Sequence, residues 1–423
     1  MDFTPTEEQT AARDLAAGIF ADLATHERLS EQERSSAQKR LSEQERSSAQ
    51  KRPSAQERSS AQERPSAQER PSTQEPSAVT APGGTQGTPA ARTVPGTGVD
   101  EELWKALCGA GLVGAAEETG LVGLALVLEE QGRRTAPVPL AATSVYGLLP
   151  VAAHGTPAQR ARLLPGLRDG TLVATGAFPL PDEGAGPVTE EGGLLTGTVP
   201  VVPWLRTATH VLVPVGQAAG GGTARLFLVG TDQDTVEVTP VETTAPWAAG
   251  RLELSAARGE PLGDGGAYAA TLERARTAFA ALQAGVCAGS LALAVAHTCE
   301  REQFGRPLST NQAVQLRAAD AHMDTEAIRV TCYEAAWRHD AGLPAGPHAL
   351  TAAWWAAEAG RRVVHAGQHL HGGVGADITH PVHRHFLWGR QLDAYLGPPA
   401  ALLAELGEAL ADPEGDAAWR DQP

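Results

Sequence analysis

Two long stretches, Tyr268–Glu300 and Asn311–Asp340, constrain this chain more than anything else in it. Each reads as one continuous helix of about 45 Å, and only Arg301–Thr310 separates them. Leu316, Met323, Val330 and Trp337 recur every seven residues along the second, which predicts the seam of a helix bundle. Pro344–His371 and Pro381–Tyr395 supply two more helices, and Pro399–Leu410 a short fifth. The uncharged run Phe279–Ala296 reaches the roughly 18-residue length of a membrane span. Its residues are mostly Ala, Gly, Gln and Ser, so the expectation is a buried bundle helix.

Upstream, Thr4–Glu8 reads as a helix cap followed by acidic first-turn residues, with Ala11, Leu15, Ile19 and Leu23 along the helix. The text then changes. LSEQERSSAQKR occurs twice, at Leu29–Arg40 and Leu41–Arg52, and decays into (S/P)SAQER hexads up to Arg70. Ser, Pro and Gly continue to about Gly98. Large apolar residues are nearly absent, so nothing there offsets the entropy of ordering. Asp100–Ala136, with Leu121–Arg134 as a separate helix, then Thr143–Val151 and Pro157–Leu167, resume the helical pattern. From Leu172 the period becomes two. Leu195–Trp204, His210–Val215, Arg225–Val229, Val236–Val241 and Arg251–Leu254 read as strands. Gly220–Gly222 is a loop and not a phosphate cradle, because no helix follows it. The expected fold class is α+β. A helical domain (1–28 and 99–167) is interrupted by a disordered repeat insert (29–98). A small β-barrel or sandwich (168–263), a C-terminal four-helix bundle (264–412) and a flexible tail (413–423) follow.

A net charge of −16 argues against nucleic acid or an anionic membrane as partner. The four cysteines are scattered without a C-x-x-C, so neither a metal site nor a disulfide framework is expected. The start, MDFTPTEEQ, has no apolar signal region, and the expected location is cytoplasmic.

Two motifs carry chemistry. Arg301-Glu-Gln-Phe-Gly-Arg-Pro-Leu308, followed by Asn311-Gln312, sits between the long helices. Gln368-His-Leu-His-Gly-Gly-Val-Gly375 ends the third and opens a glycine turn. Paired glycines let backbone N–H groups approach an anion; they also serve as an ordinary helix cap. An arginine fork suits a pyrophosphate. Together these stretches resemble the C-terminal domain of the acyl-CoA dehydrogenase family, whose pattern is R-x-x-F-G-x-x-(L/I), a Gln opening the next helix, then Q-x-x-G-G-x-G. Residues 1–29 and roughly 100–410 share the resemblance. H-L-H-G-G-V-G…P-x-H-R-H-F-L-W is similar to actinobacterial subunits, several of which work as two-subunit enzymes.

The resemblance implies FAD as cofactor, held by Arg301, Gln303, Phe304, Gln312, His369, Gly372 and Gly373, with the glycine turn reaching a neighbouring subunit. His369 stands where many members have Gln. It implies α,β-desaturation of an acyl thioester, carried on CoA or a carrier protein, an activity of class EC 1.3. In most members the proton-abstracting Glu lies in Y-E-G; here the sequence is Tyr395-Leu396-Gly397. The alternative Glu position falls on Ala275, with Glu273 about 200° around the helix. Asp393 is a weak substitute, as is Asp377. The family's middle-domain loop and its W-(I)-(T/S) strand are also altered, to Phe178–Gly186 and Val202-Pro-Trp204. The expected protein is therefore a flavoprotein subunit in a homo- or hetero-oligomer, with a sister subunit supplying the Glu. Alternatives are a non-catalytic scaffold, and a flavin-free dehydratase or lyase on the same fold.

Overall fold

A computed structural model of the chain describes residues 4–35, 38, 99–179, 186–216, 224–395 and 397–411. Most of the repeat segment, the tail from 412, and Leu396 lie outside the described residues.

The N-terminal helices form because their first turns are capped and one face of each is apolar. Helix α1 (Glu7–Leu23) opens on a reciprocal cap between Thr6 and Gln9, within the expected stretch Thr4–Glu8, and buries Ala16 and Phe20. Residues 26–35 form α2. This corrects the expected start of the insert: Leu29 is buried in the main core, and Glu33 pairs with Arg384 at 2.9 Å. Helix α3 (Glu101–Gly109) is capped by Asp100, and α4 (Ala116–Arg134) is broken at Gly120, φ 71° and ψ −171°. There the Asp340 carboxylate accepts from the N–H groups of Leu121 (2.7 Å) and Val122 (3.0 Å), restarting the helix. Helix α5 (Leu140–Thr143), a π-turn at Ser144–Leu148, α6 (Leu149–His154) and α7 (Pro157–Arg168) complete this layer.

Two four-stranded sheets follow. One is ordered β1 (Ala174–Gly176), β4 (His210–Val215), β5 (Arg225–Gly230), β8 (Glu260–Leu262). The other is β2 (Val188–Glu191), β3 (Leu194–Val202), β7 (Gly250–Arg258), β6 (Val236–Pro240). Strand alternation explains why β4 and β5 are apolar throughout. Val211, Val213, Phe227 and Val229 face the second sheet, while Leu212, Leu226 and Leu228 face the helices. The short strands β1, β2 and β8 were not visible as periodic text.

The C-terminal bundle consists of α8 (Ala267–Glu300), α9 (Gln312–Asp340), α10 (Gly346–His371), α11 (Pro381–Leu392) and the short α12 (Pro399–Ala411). Among the described residues, helix α8 alone is long and apolar enough to span a membrane, and 72% of its apolar window is buried inside the fold. Its small residues let neighbours approach: a Cβ on Gly285 would lie 2.0 Å from the Glu129 carbonyl oxygen, so α4 and α8 cross backbone to backbone.

The heptad reading of α9 is overturned. Leu316, Met323 and Val330 are 58%, 68% and 54% exposed. The buried face is Ala321, Thr325, Ile328, Cys332 and Ala335. That set also repeats every seven, and it lies about 200° from the expected stripe. Small residues won the core side because α8 sits close there, and the larger ones were left outside.

Candidate functional site

The first motif closes a short hairpin at the end of α8. Strand β9 (Glu302–Gln303) pairs with β10 (Arg306–Pro307), and the turn residues Phe304 and Gly305 have φ 56° and 75°. A two-residue hairpin closed by a type I′ turn needs positive φ at both positions. Glycine takes it without strain; a phenylalanine does not. Phe304 is nevertheless held there with its side chain 99% exposed. Arg301 caps α8, its N–H donating to the His297 carbonyl at 2.8 Å, and its guanidinium has no ion pair among the described residues. Gln303 and Gln312 are exposed, and Asn311 caps α9 beside Gln312.

The second motif ends α10 at the same end of the bundle. The His371 ring stacks on the His297 ring at 4.6 Å, which joins the two motifs. Gly372 has φ 61° and ψ −138°, a conformation confined to glycine, and nothing lies within 4 Å of where a Cβ on Gly372 or Gly373 would be. Gln368 donates to the Gly375 carbonyl at 3.0 Å, closing the turn, while His369 is exposed beside it. All seven expected cofactor-holding residues are therefore solvent-facing. They offer a cation, a flat apolar ring, two amides and a bare backbone.

The interior where the flavin ring and acyl group were expected is different. Trp204, at the expected ring contact, is buried with φ 60° and stacks on Trp247 at 6.1 Å. Tyr395, next to Leu396, meets Trp247 at 5.5 Å and Phe279 at 4.7 Å, and its hydroxyl lies 3.1 Å from that of Tyr146. Phe178 stacks on Tyr146 at 5.0 Å and on Tyr268 at 5.3 Å; Trp388 meets Trp247 edge-on at 5.8 Å. The β-sandwich, the N-terminal helices and the bundle are thus joined by one aromatic cluster. Burial holds the Tyr146 and Tyr395 phenols well above their usual range, so neither accepts a proton at neutral pH.

The carboxylates are engaged elsewhere. Ala275 is fully buried, and Glu273 lies 3.9 Å from the His339 ring on the α9 side, its acidity weakened by burial. Asp393 is paired with Arg390 at 2.5 Å; burial raises it, and Arg390 and Arg361 oppose that. Asp377 accepts from the Thr379 N–H and hydroxyl at the surface, which pulls it low. Leu396 lies outside the described residues, so the expectation placed on it stays one of sequence. The sequence reading missed Trp247 and Tyr146, which carry no motif, and the His297–His371 contact, which joins residues from different helices. Among the described residues, no group of His, Cys, Asp and Glu could hold a metal ion.

The exposed face has donors whose chemistry fits a pyrophosphate, whereas the interior is packed with this chain's own rings. Helices on both sides of a β-sandwich, with an arginine–glycine face at the end of a terminal bundle, define an acyl-CoA dehydrogenase architecture. The profile of the "Acyl-CoA dehydrogenase, C-terminal domain" matches residues 263–411, and that of the N-terminal domain residues 85–171. The chain is 35% identical to "Acyl-CoA dehydrogenase FadE27" of Mycobacterium tuberculosis, over 74% of this chain and 89% of that protein. Among solved structures, it is similar to a variant of the Tcur3481-Tcur3483 steroid ACAD (38% identity, TM-score 0.77, covering 97% of this chain and 99% of that one). It is also similar to the ChsE4-ChsE5 complex from Mycobacterium tuberculosis (28%, TM-score 0.76, covering 97% of this chain and 99% of that one). The chain belongs to the acyl-CoA dehydrogenase family, a family of FAD-dependent oxidoreductases.

Proposed function

We propose that this chain is the subunit of a heteromeric acyl-CoA dehydrogenase that holds the dinucleotide part of an FAD seated in a sister subunit. The carrying observation is the contrast between its two halves of a site: an open Arg301–Phe304–Gly372 face and a cleft filled by Tyr395, Trp247, Phe279 and Tyr146. FAD supplies hydride-acceptor chemistry. Arg301 would pair with its pyrophosphate, Phe304 would cover an apolar ring, and Gln303, Gln312, His369 and the Gly372–Gly373 backbone would donate hydrogen bonds. Proton abstraction falls to the sister subunit's Glu, since Asp393 is already paired and the phenols are held protonated. The exposed stripe Leu316–Met323–Val330 gives the sister chain an apolar surface to cover. The similarity to a protein described as a steroid ACAD points to a steroid-derived thioester as substrate, handled in the cytoplasm.

The test is co-purification with a Glu-bearing sister subunit, followed by a flavin spectrum and dye-coupled turnover of a panel of acyl-CoAs that includes steroid side-chain thioesters. The expected result is a single FAD for each pair, with turnover only by the pair. Leu396→Glu in the chain alone is expected to stay inactive, because the neighbouring Tyr395 packs into the aromatic cluster. Robust turnover by the chain alone, abolished by Asp393→Asn, would overturn the proposal. A tight pair without flavin would favour a scaffold role, and flavin-free hydration or elimination a lyase.

A further inference from the structure

Three histidine rings, one from each of three elements, meet under the exposed face. His297 lies in the last turn of α8, His371 is the final residue of α10, and His380 is the N-cap of α11. The His297 and His371 rings stack at 4.6 Å, and those of His371 and His380 meet at 4.8 Å. His371 is buried, and its Nδ1 lies 2.7 Å from the Gly367 carbonyl oxygen, so Nδ1 carries the proton and donates. His380 Nδ1 lies 3.2 Å from the Val382 N–H and accepts from it, so this nitrogen is bare and caps α11. His380 is therefore neutral, with its proton on Nε2, while His371 keeps a proton on Nδ1.

We propose that this stack is a proton-sensitive latch that positions the flavin-holding face, closed while the rings are neutral and released when they are protonated. The inference rests on the function proposed above for the Arg301 and Gly372–Gly373 face, and it names the regulation of that face. The placement is direct: Arg301 hangs from the His297 carbonyl, and Gly372 follows His371 in the chain. Protonating His380 fills the lone pair that caps α11. Protonating His371 puts a cation against two further imidazoles. Other groups around the stack offer little compensation. His26 of α2 and His383 of α11 are of the same kind. Asp377 is the nearby anion, and its Oδ1 is already bonded to the Thr379 N–H and hydroxyl. Glu300 and Arg301, at the end of α8, are exposed. Burial, then the neighbouring imidazoles, holds His380 below the ordinary histidine range against Asp377; burial does the same for His371, aided by His297 and opposed by the Gly367 hydrogen bond. Groups depressed in the closed form stabilise it above the ordinary histidine value and lose that stabilisation as pH falls.

The test uses the full chain and the double variant His297→Phe, His380→Asn. Phenylalanine keeps a flat ring in the stack, and asparagine keeps a cap for α11. Amide hydrogen exchange, corrected for intrinsic rates, is compared between about pH 7.5 and about pH 5.5. Protection at residues 298–303 and 371–377 should fall by at least about tenfold relative to α4 in the natural chain, and by less than about threefold in the variant. Equal loss in both proteins, or no loss beyond that of α4 in the natural chain, would overturn the latch. Should the double variant fail to fold by circular dichroism, His297→Phe alone is expected to give an intermediate loss, and a natural-sized loss would again overturn it. With the sister subunit bound, the natural pair should release flavin over the same pH range and the variant pair should retain it. Retained flavin despite lost protection would overturn the control of flavin. A pair that never binds flavin, with the exchange difference intact, would instead sink the proposed function and leave the latch standing.

Discussion

Arg301 and Glu129 show how differently two charged residues contribute. Arg301 is exposed and unpaired among the described residues, so its removal leaves the fold intact. Arg301→Ala should lower FAD affinity of the heteromer about ten- to a hundred-fold, the cost of a charge-assisted bond of roughly 1.5–3 kcal/mol. Titration of the apo-pair with FAD checks this; unchanged occupancy at limiting FAD would remove Arg301 from the site. Glu129 is buried between helices. It accepts from Arg329 Nη2 at 2.6 Å, from the Tyr333 hydroxyl at 2.7 Å and from Arg133 at 3.0 Å. Glu129→Ala leaves the half-buried Arg329 with Glu326 as its remaining ion-pair partner and should cost about 1.5–3 kcal/mol, read by urea unfolding. A loss below about 1 kcal/mol would mean that water rescues Arg329.

At the scale of elements, α9 and α2 carry the two departures from expectation. The faces of α9 differ in what they touch: Ile328 is fully buried, while Met323 is exposed. Ile328→Asp should unfold the bundle. Met323→Asp should leave the unfolding midpoint within about 0.5 kcal/mol but weaken association with the sister chain, as light scattering would report. If Met323→Asp left association unchanged, the outer stripe would not be an interface. In α2, Leu29 and Glu33 have partners in the fold, the second through Arg384, whose side chain is 9% exposed. Deleting residues 30–76 should therefore destabilise the chain by about 1–3 kcal/mol relative to deleting residues 41–76. Equal melting temperatures for the two deletions would show that the Glu33–Arg384 pair is immaterial.

The molecule as a whole should lose stability in mild acid. His339, wedged between α8 and α9, is pushed down to about 4 by burial and by the neighbouring Arg274. A depressed histidine contributes fully above its unfolded value, near 6.5, and that contribution is lost as pH falls through about 4. The shift corresponds to roughly 3 kcal/mol between neutral pH and about pH 4. Glu273, raised by burial, works in the opposite direction and offsets part of it. Denaturant midpoints measured across this range should fall with pH in the natural chain and fall less in His339→Gln. A flat profile in the natural chain would show that His339 is hydrated in solution.

The order of elements, the long helices and the two motifs could be read from residues alone, because local periodicity, capping and a glycine turn are properties of neighbours in the chain. Strands His210–Val215 and Arg225–Gly230 were read almost to the residue, since each is a short apolar run bounded by turn residues. Other features depend on what comes from elsewhere in space. Two apolar sets on α9 share one period, and only the closeness of α8 decided that the small-residue set faces inward. The identical copies beginning at Leu29 and Leu41 differ in nothing local, so nothing in the text announced that Leu29 would be buried and Glu33 would reach Arg384. The missing Glu was legible as Leu396, but the aromatic packing of Tyr395 was not. Tyr146, Trp204, Trp247, Phe279, Trp388 and Tyr395 come from separate segments, and only the docking of sandwich on bundle closes them into one cluster. Chemistry written in contiguous residues was determined by the sequence; whether a cleft stayed open was decided by tertiary contacts, because space is left only where distant side chains fail to fill it.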